Sequence, residues 1–199
     1  MTVAAIILAA GRSQRFEAGN KLLVAIGGEP MLRHILNEAE KAPLSDIVVV
    51  VSPQATDVIR SLGEGRWRLT VAGDAGKGLS ASLRTGIGAL EPQTDGALIL
   101  LGDMPDVDAS LISRLIAAFR TDGQRRITCP VHKDGRRGNP VLWPKSYFAQ
   151  LSALSGDTGG RALIEDNPAD VLCVPVMDES AFTDIDTLED WNGYRGRSR

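Results

Sequence analysis

The sequence predicts an α/β protein whose mostly parallel, Rossmann-like sheet lies between two layers of helices. Apolar runs rich in β-branched residues alternate with amphipathic helical stretches as far as residue 119. This alternation is typical of parallel strands joined by right-handed helical crossovers. Beyond residue 119 the pattern changes, and a turn at residues 133–135 indicates a hairpin. We therefore expect a three-layer α/β/α fold with a small antiparallel element in the C-terminal half.

The predicted strands are short apolar runs, and the most continuous of them suit strands that helices cover on both faces. In chain order the strand candidates are residues 3–8, 47–51, 67–71, 97–101, 127–131, 139–142 and 171–176. Between them, apolar residues recur at helical spacing. The helix candidates open at Glu29, Ser52, Leu79 and Asp108, and shorter ones span residues 147–154, 162–165 and 187–191. Asp108 is a suitable N-cap for the most clearly amphipathic of them.

Length and charge limit the classes of protein that the chain can represent. Its 199 residues suit one domain, which we expect to span residues 1–193, with residues 194–199 as a disordered tail. With 22 Lys and Arg against 25 Asp and Glu, the net charge is −3. This balance argues against a nucleic-acid or anionic-membrane surface. No apolar run approaches the roughly 20 residues that span a bilayer.

Cysteine usage indicates a reducing compartment. Cys129 and Cys173 are far apart in the sequence, lie in predicted strands and lack Cys-x-x-Cys spacing. We expect reduced core residues rather than a disulfide, which favours a cytoplasmic protein. The apolar run at residues 3–10 lacks a basic leader and runs directly into charged residues, so it does not predict a signal peptide.

A candidate anion site follows the first strand, where the apolar run gives way to small residues and then to basic ones. These residues are Ala9, Ala10, Gly11, Arg12, Ser13, Arg15 and Lys21. Small side chains let the backbone approach a ligand, loop N–H groups donate hydrogen bonds and the cations supply charge, so a polyphosphate suits this loop. The alternative is an Ala-Gly turn that only ends a strand, with solvated cations. The loop carries neither a Walker motif nor a Gly-x-Gly-x-x-Gly fingerprint.

A carboxylate occupies the matching position after the fourth strand. Asp103 follows the run at residues 97–101, and Pro105 turns the chain. Because parallel sheets bind ligands beyond the carboxyl ends of their strands, the topology places Asp103 near Arg12. Mg²⁺ bound with a polyphosphate is typically held by one or two such carboxylates. Asp103 could instead cap the next helix, although Asp108 is better placed for that.

Four further segments leave their roles open on the residues alone. Asp186 precedes the last predicted helix, and an N-cap explains it at least as well as metal binding does. Ser80 and Arg84 share one face at the start of a helix, where Ser80 could cap the helix and Arg84 could be solvated. Residues 137–140 and 156–161 combine glycines with polar residues and could be ordinary turns.

Six motifs, taken together and in order, resemble the MobA-like nucleotidyltransferases, specifically the molybdenum cofactor cytidylyltransferase branch. The motifs are LAAGRSQRF followed by GNKLL, then GLSASLR, LGDMP, RGNP, GDTGGR and DIDTLED. LAAG, rather than LAGG, is the form associated with CTP. The chain departs from the family's pattern at Phe16-Glu17 (usually Met-Gly), Asn139 (usually His), Gly160 (usually Ala) and Leu188 (usually Pro).

The resemblance implies a nucleotide-diphospho-sugar transferase type of sheet and a role for each motif. The implied catalytic residues are Arg12, Arg15, Lys21 and Asp103. The implied nucleotide contacts are Leu8, Ala9, Ala10, Gly11, Ser13, Gly78, Ser80 and Ser82, with Arg84 organising the loop. Asn139, Asp157 and Arg161 are implied to face the acceptor. Asp103 and Asp186 are the implied Mg²⁺ ligands.

The activity that the resemblance implies is transfer of CMP from CTP to the terminal phosphate of molybdopterin, with release of pyrophosphate. Two alternatives stay open. The acceptor could be a sugar or polyol phosphate, or the chain could be a non-catalytic molybdenum-cofactor carrier or insertion chaperone. Relatives of this branch are associated with molybdenum hydroxylases, so such an enzyme or its maturation chaperone is an implied partner.

Overall fold

The computed structural model describes residues 2–11, 13, 15–17, 19–177 and 182–197. The strands are β1 (Val3–Ala9), β2 (Ala25–Ile26), β3 (Glu29–Pro30), β4 (Asp46–Val51), β5 (Arg68–Val71), β6 (Gly96–Leu101), β7 (Ile127–His132), β8 (Val141–Pro144) and β9 (Val171–Val176). The helices are α1 (Met31–Lys41), α2 (Thr56–Ser61), α3 (Leu79–Gly88), α4 (Ala109–Thr121), α5 (Phe148–Ala153), α6 (Arg161–Asp166) and α7 (Leu188–Arg197).

Seven of these strands form one sheet in the order β5-β4-β1-β6-β8-β7-β9. β1 pairs in parallel with β4 on one side and with β6 on the other. β8 runs antiparallel to β6 and β7, while β9 pairs in parallel with β7. The prediction of a mostly parallel sheet with an antiparallel element in the C-terminal half is therefore confirmed.

The two-stranded pair of β2 and β3 is not predicted by the sequence pattern. The sequence suggests a helix that opens at Glu29, but Glu29–Pro30 forms β3 and pairs with β2. α1 begins one residue later, at Met31. The glycine turn at Gly27-Gly28, with positive φ at both residues, reverses the chain and makes this small hairpin.

The core has two layers because successive residues of a strand point to opposite faces of the sheet. On one face, Ala5 and Ile7 of β1 pack with residues of α1, α2 and α4. On the other face, Ile6 and Leu8 pack with residues of α3, α5 and α6. Helices thus cover both faces of the sheet, and this confirms the three-layer prediction.

A smaller cluster, which we name the α7 cluster, lies outside these two layers. It consists of Phe16, Met31, Ile185 and Trp191. Beyond it, the ring of Tyr194 stacks on Trp191 with the ring centroids 6.0 Å apart. α7 runs through Arg197 in the structure, and the tail expected at residues 194–199 stays a prediction. Residues 198–199 lie outside the described residues.

The strand order creates a crevice at the carboxyl edge of the sheet. From β1 the chain moves to β4 and β5 on one side, and it later returns to β6 on the other side of β1. The connections that leave β1 and β6 therefore diverge, which is where open α/β sheets bind ligands. Ser13, Lys21 and Asp103, which follow β1 and β6, face this crevice.

Two other observations bear on the expectations from sequence. Cys129 and Cys173 are far apart in the sequence, but they lie directly opposite each other in β7 and β9 and are free thiols. None of the helices in the described part of the chain has the length and apolar character needed to cross a membrane.

Candidate active site

A cleft made of three adjoining hollows runs along the carboxyl edge of the sheet. The central hollow, of about 650 Å³, is lined by the loop after β1, the start of α3 and acidic residues that follow β6 and precede α7. On the β4 side it shares Gly11 and Ala75 with a hollow of about 520 Å³. On the β8 side it shares Leu8 and Leu79 with a hollow of about 850 Å³. The cleft has room for two ligands that meet at its centre.

Lys21 bridges two aspartates in the central hollow. Its Nζ lies 2.5 Å from Asp103 Oδ2 and 2.5 Å from Asp186 Oδ1. Arg15 Nη2 lies 2.7 Å from Asp186 Oδ2. The Lys21 side chain is 11% exposed and that of Arg15 is 72% exposed, so water screens the Arg15 contact far more. The fold thus brings Lys21, Arg15, Asp103 and Asp186 into one charged group.

The pKa of Lys21 is raised above its ordinary value. Burial of the ammonium group acts to lower this pKa, but the charge of Asp103 and the hydrogen bonds to Asp103 and Asp186 outweigh it. Lys21 therefore stays protonated at neutral pH. A fixed cation in a partly buried cleft is suited to stabilise negative charge on a bound phosphate.

The loop before Lys21 is closed by its own polar side chains. Ser13 has φ of 48°, and its Oγ accepts a hydrogen bond from Lys21 N at 3.2 Å and donates to Asn20 Oδ1 at 3.3 Å. Asn20 Oδ1 also accepts from Leu22 N and so caps the short 3-10 helix that begins at Lys21. Asn20 is not among the residues predicted from the sequence, although an Asn before an apolar pair is a recognisable capping signal.

The turn that carries Asp186 is held by the first residues of α7. Asp190 Oδ2 accepts hydrogen bonds from Asp186 N at 3.1 Å and from Thr187 N at 2.7 Å. Thr187 Oγ1 in turn accepts from Asp190 N at 3.1 Å. This reciprocal pattern is a capping box in which Thr187 is the N-cap. The alternative that Asp186 caps the helix is therefore wrong, and its carboxylate contacts Lys21 and Arg15 instead.

The two acidic segments are joined through the backbone, and their oxygens suit a divalent cation. Ile185 N donates to Asp103 O at 3.1 Å. Asp103 Oδ1 is buried and accepts no hydrogen bond from any described residue, which is costly unless another partner binds it. The described residues contain no group of three or more His, Cys, Asp or Glu that could hold a metal ion. Two carboxylates, however, fit Mg²⁺ when phosphates and water complete its coordination shell.

Asp184 is a third carboxylate near this pair and is not among the site residues predicted from the sequence. Its pKa is raised first by burial and then by the charges of Asp186 and Asp103, although Lys21 acts in the opposite direction. The signal that could have found it is the alternation Asp-Ile-Asp. Because Ile185 is fully buried, the residues on either side of it both face the cleft side of this extended segment.

The start of α3 is anchored to the loop before α6. Ser80 Oγ donates to Gly156 O at 2.6 Å, and Leu79 N donates to Asp157 Oδ1 at 3.1 Å. Gly78 has φ of 102°, and a Cβ at this position would lie 2.6 Å from Gly156 O. Ser80 is almost fully buried, so its hydroxyl braces the wall of the cleft. Gly78 and Asp157 line the central hollow.

Arg84 and Ser82 have different positions: Arg84 bonds to neighbouring loops, whereas Ser82 lines the cleft. Arg84 donates to the carbonyl oxygens of Ser152 and Leu154 at 3.0 and 2.9 Å, and it lies 3.8 Å from Asp74. It therefore organises the loops around the cleft. Ser82 lies on the face of α3 that lines the central hollow.

The β8-side hollow combines an apolar wall with basic residues. Its apolar lining includes Leu83, Ile99, Val141, Trp143 and Phe182, and its basic lining consists of Arg136, Arg137 and Arg161. Asn139 also lines it. Arg161 is 90% exposed and lies 2.8 Å from Glu165. A hollow of this kind suits a ligand with a flat apolar part and an anionic group.

The loop that carries Arg136 is organised by Asp134. Asp134 accepts hydrogen bonds from Arg136 N at 3.0 Å and from Arg136 Nε at 2.7 Å, and its carboxylate lies 3.0 Å from His132 Nδ1. The backbone N–H of Arg136, followed by its guanidinium, holds the pKa of Asp134 well below the usual range. This arrangement directs the Arg136 segment into the wall of the hollow. Neither Asp134 nor Arg136 is among the site residues predicted from the sequence.

The remaining predicted residues fall along the same cleft. Leu8, Ala10, Gly11 and Ser13 line the central hollow, and Ala9 lines the β4-side hollow. The β4-side hollow also has polar residues that the sequence analysis does not assign, namely Asn20, Ser52, Gln54 and Asp74. Arg12 lies outside the described residues.

The fold and the charged cleft define an α/β nucleotidyltransferase. The model of the MobA-like NTP transferase domain matches residues 5–171, and the chain belongs to this family. The resemblance that the six motifs carry is thus confirmed at the level of the family.

The similarity to known proteins in sequence and structure extends over nearly the whole chain. Nicotine blue oxidoreductase of Paenarthrobacter nicotinovorans is 26% identical over 194 residues, which cover 94% of this chain and 93% of that protein. The purine catabolism protein PucB of Bacillus subtilis is 27% identical over 204 residues, covering 96% and 94%. The crystal structure of the Rv0371c homologue from Mycobacterium sp. strain JC1 superposes with a TM-score of 0.87 at 28% identity, covering 98% and 96%.

Proposed function

We propose that this chain is a Mg²⁺-dependent cytidylyltransferase that transfers CMP from CTP to the terminal phosphate of molybdopterin and releases pyrophosphate. The observation that carries the proposal is the Lys21 ammonium held between Asp103 and Asp186 in the central hollow. A cation beside two carboxylates can bind a triphosphate and its metal ion together, and that is the central requirement of nucleotidyl transfer.

The reaction exchanges one phosphorus–oxygen bond for another. An oxygen of the acceptor phosphate bonds to the α-phosphorus of CTP, and the bond from that phosphorus to the bridging oxygen of pyrophosphate breaks. The acceptor phosphate is anionic at neutral pH, so no general base is needed. Lys21 and Arg15 donate to phosphate oxygens as charge develops on them. When held by Asp103 and Asp186, Mg²⁺ supplies further positive charge to these oxygens.

The loop after β1 is suited to the triphosphate. Ala9, Ala10 and Gly11 leave the backbone open to a ligand, and a Cβ at Gly11 would meet nothing within 4 Å. Ser13 and Asn20 hold the loop so that Lys21 faces the centre of the cleft. The preference for CTP rests on the resemblance of the LAAG segment to the CTP-specific branch.

The β8-side hollow is the proposed acceptor site. Trp143 and Ile99 supply an apolar wall for a flat ring system, while Arg136 and Arg137 supply positive charge for a phosphate. This pairing favours a phosphorylated ring compound such as molybdopterin over a sugar or polyol phosphate, which would leave the apolar wall unused. Asn139 lies in the same hollow and carries no titratable group.

The proposed cellular location is the cytoplasm, because its reducing conditions keep thiols such as those of the two free cysteines reduced. The product would be handed to a molybdenum hydroxylase or to its maturation chaperone. The support for this partner is the resemblance of the six motifs to the molybdenum cofactor cytidylyltransferase branch.

A pyrophosphate-release assay tests the proposal. The purified chain is incubated with Mg²⁺ and each of the four ribonucleoside triphosphates, with molybdopterin or with sugar and polyol phosphates as acceptors. We expect release with CTP and molybdopterin only. Turnover with a sugar or polyol phosphate would reassign the acceptor, and binding of molybdopterin without any turnover would make the chain a carrier.

A substitution at Asp103 checks that the charged group performs the reaction. We expect Asp103→Ala to reduce CMP transfer by about 10²–10³-fold, the loss typical of removing an electrostatic group from a site of this kind. Its circular dichroism spectrum should match that of the unmodified chain. Undiminished turnover would remove Asp103 from the proposed metal site.

A further inference from the structure

The loop between Arg15 and Lys21 is tied to the C-terminal helix by an apolar side chain. Phe16 follows Arg15 directly, is 3% exposed and packs in the α7 cluster with Ile185 and Trp191. Glu17, the next residue, is exposed. Phe16 therefore anchors the loop while its neighbours Arg15 and Lys21 remain free to face the cleft.

Ile185 anchors the acidic segment to the same cluster. It is fully buried, and its flanking aspartates lie on the side of the central and β8-side hollows. Its backbone N–H donates to Asp103 O at 3.1 Å. One apolar contact thus fixes both the Asp186 turn and, through the backbone, the Asp103 turn.

The third connection runs from α7 to the segment after β6. Tyr194 stacks on Trp191, and its hydroxyl donates to Asp106 Oδ1 at 2.6 Å. Arg195 lies over the Trp191 ring with 5.8 Å between Cζ and the ring centroid. Asp106 is three residues beyond Asp103, so α7 holds this turn from outside the sheet.

We propose that Trp191 is a positioning residue that sets the distance between the Lys21 loop and the Asp103–Asp186 pair. It is not among the residues that line the three hollows, and it acts through Phe16 and Ile185. This inference rests on the proposed function for its catalytic consequence, but the geometric claim stands on the α7 cluster alone.

The placement of the α7 cluster supports a positioning role over a general core role. The two main clusters, which join the sheet to α1–α6, contain neither Phe16 nor Trp191. Most of α7 is exposed. Among the residues of α7 whose side chains the structure describes, Trp191 is the only one that is buried. Loss of this side chain should therefore leave the layered core intact while it frees the loops that carry Lys21 and Asp186.

Trp191→Leu tests the inference, with Trp67→Leu as the matched control. Trp67 is half-buried and packs against the main core, so its loss tests the effect of removing an indole elsewhere. We expect amide exchange in peptides covering residues 13–22 and 184–187 to accelerate by about tenfold or more in Trp191→Leu only. Exchange in β1 and β6 should not change. Equal exchange of both peptides in the two variants overturns the inference, whatever the activity.

Kinetics give the second readout. In Trp191→Leu the kcat for CMP transfer should fall by about 10²-fold, because small misplacements of reacting groups have effects of this size. The fall should exceed any change in the KM for CTP, and Trp191→Phe should restore kcat to within threefold of the unmodified chain. Faster exchange with an unchanged kcat would overturn the positioning role.

The two proposals fail in different ways. If the unmodified chain transfers no CMP to any acceptor, the proposed function fails, and amide exchange still decides the role of Trp191. Should Trp191→Leu not fold, Phe16→Leu provides the test, because it removes the aromatic contact through which Trp191 is proposed to hold the Lys21 loop and leaves Trp191 in place. Faster exchange in the peptide covering residues 13–22 supports the inference in that case, and unchanged exchange overturns it.

Discussion

Lys21 Nζ and Asp103 Oδ2 are 2.5 Å apart, and the same nitrogen lies 2.5 Å from Asp186 Oδ1. The ammonium group therefore contacts the oxygens that a divalent cation would also use. Asp103 retains one buried oxygen without a hydrogen bond from the described residues. A metal ion at this pair must share the carboxylates with Lys21 or displace it.

Replacement of Lys21 by methionine should strengthen metal binding and weaken catalysis. Removing a unit charge next to the carboxylates should tighten Mn²⁺ binding by about tenfold, as Coulomb energies at this separation indicate. CMP transfer should fall by about 10²-fold because the phosphates lose a cation. Electron paramagnetic resonance of free Mn²⁺ measures the first effect.

Arg15→Met is the control for this experiment. This substitution also removes a positive charge that contacts Asp186. The Arg15 side chain is 72% exposed, however, so the effect of its loss on Mn²⁺ binding should be smaller. An equal gain in both variants would mean that net charge, and not competition for the carboxylate oxygens, sets the affinity.

Asp134→Asn should weaken binding of the acceptor without affecting CTP. Asp134 holds the Arg136 segment in the wall of the β8-side hollow through bonds to Arg136 N and Nε. Its loss should raise the KM for the acceptor by about tenfold, the equivalent of one charge-assisted hydrogen bond. The KM for CTP should stay constant, because the loop after β1, which is the proposed triphosphate site, does not include the Arg136 segment. A parallel rise in both KM values would contradict this division of the cleft.

The same substitution has a pH signature. The pKa of Asp134 is lowered in the folded chain, so the carboxylate stabilises the fold above its ordinary pKa of about 4 and loses this effect as the pH falls through the lowered value. The unmodified chain should therefore be more stable than Asp134→Asn at pH 7, and the difference should shrink below pH 4. Urea unfolding at both pH values measures it.

The sequence predicts three of the four residues of the charged group, Arg15, Lys21 and Asp103, for a clear physical reason. Parallel strands end at one edge of the sheet, so the residues after β1 and β6 must meet there, and Asp103 can be placed from topology alone. Asp186 cannot be placed in this way. Its position depends on Ile185, Phe16 and Trp191 packing together across most of the chain, and such long-range packing has no local signature.

Helix capping shows a second limit to what can be predicted from the sequence. Asp186 and Thr187 are both good N-cap residues, and the choice depends on Asp190 reaching back to their backbone N–H groups. Ser80 is a similar case, because its hydroxyl meets Gly156, which lies in a loop that the sequence leaves unassigned. Local pattern identifies the candidate residues, but tertiary contacts decide which atoms face the cleft.

The two cysteines should differ sharply in reactivity. Burial, together with the neighbouring Cys173, raises the pKa of the Cys129 thiol to about 12. Since the thiolate is the nucleophile, Cys129 should resist iodoacetamide at pH 8, while the half-buried Cys173 is alkylated first. Mass spectrometry of the native chain should find one modified site, and denaturation should expose both. Equal labelling rates in the native chain would contradict the packing of β7 against β9.

Gly78→Ala should destabilise the fold and the cleft together. Gly78 has φ of 102°, a conformation that side chains rarely adopt, and an added Cβ would lie 2.6 Å from Gly156 O and 2.8 Å from Asp157 N. Because backbone atoms form this contact, they must move, and we expect a loss of about 1–3 kcal/mol in the free energy of unfolding. The KM for CTP should rise as well, since Asp157 and Gly78 line the central hollow. Gly73→Ala is the matched control, because a Cβ there meets nothing within 4 Å. Urea unfolding of both variants decides the matter: a loss no larger at Gly78 than at Gly73 would mean that the start of α3 does not rest on the loop before α6.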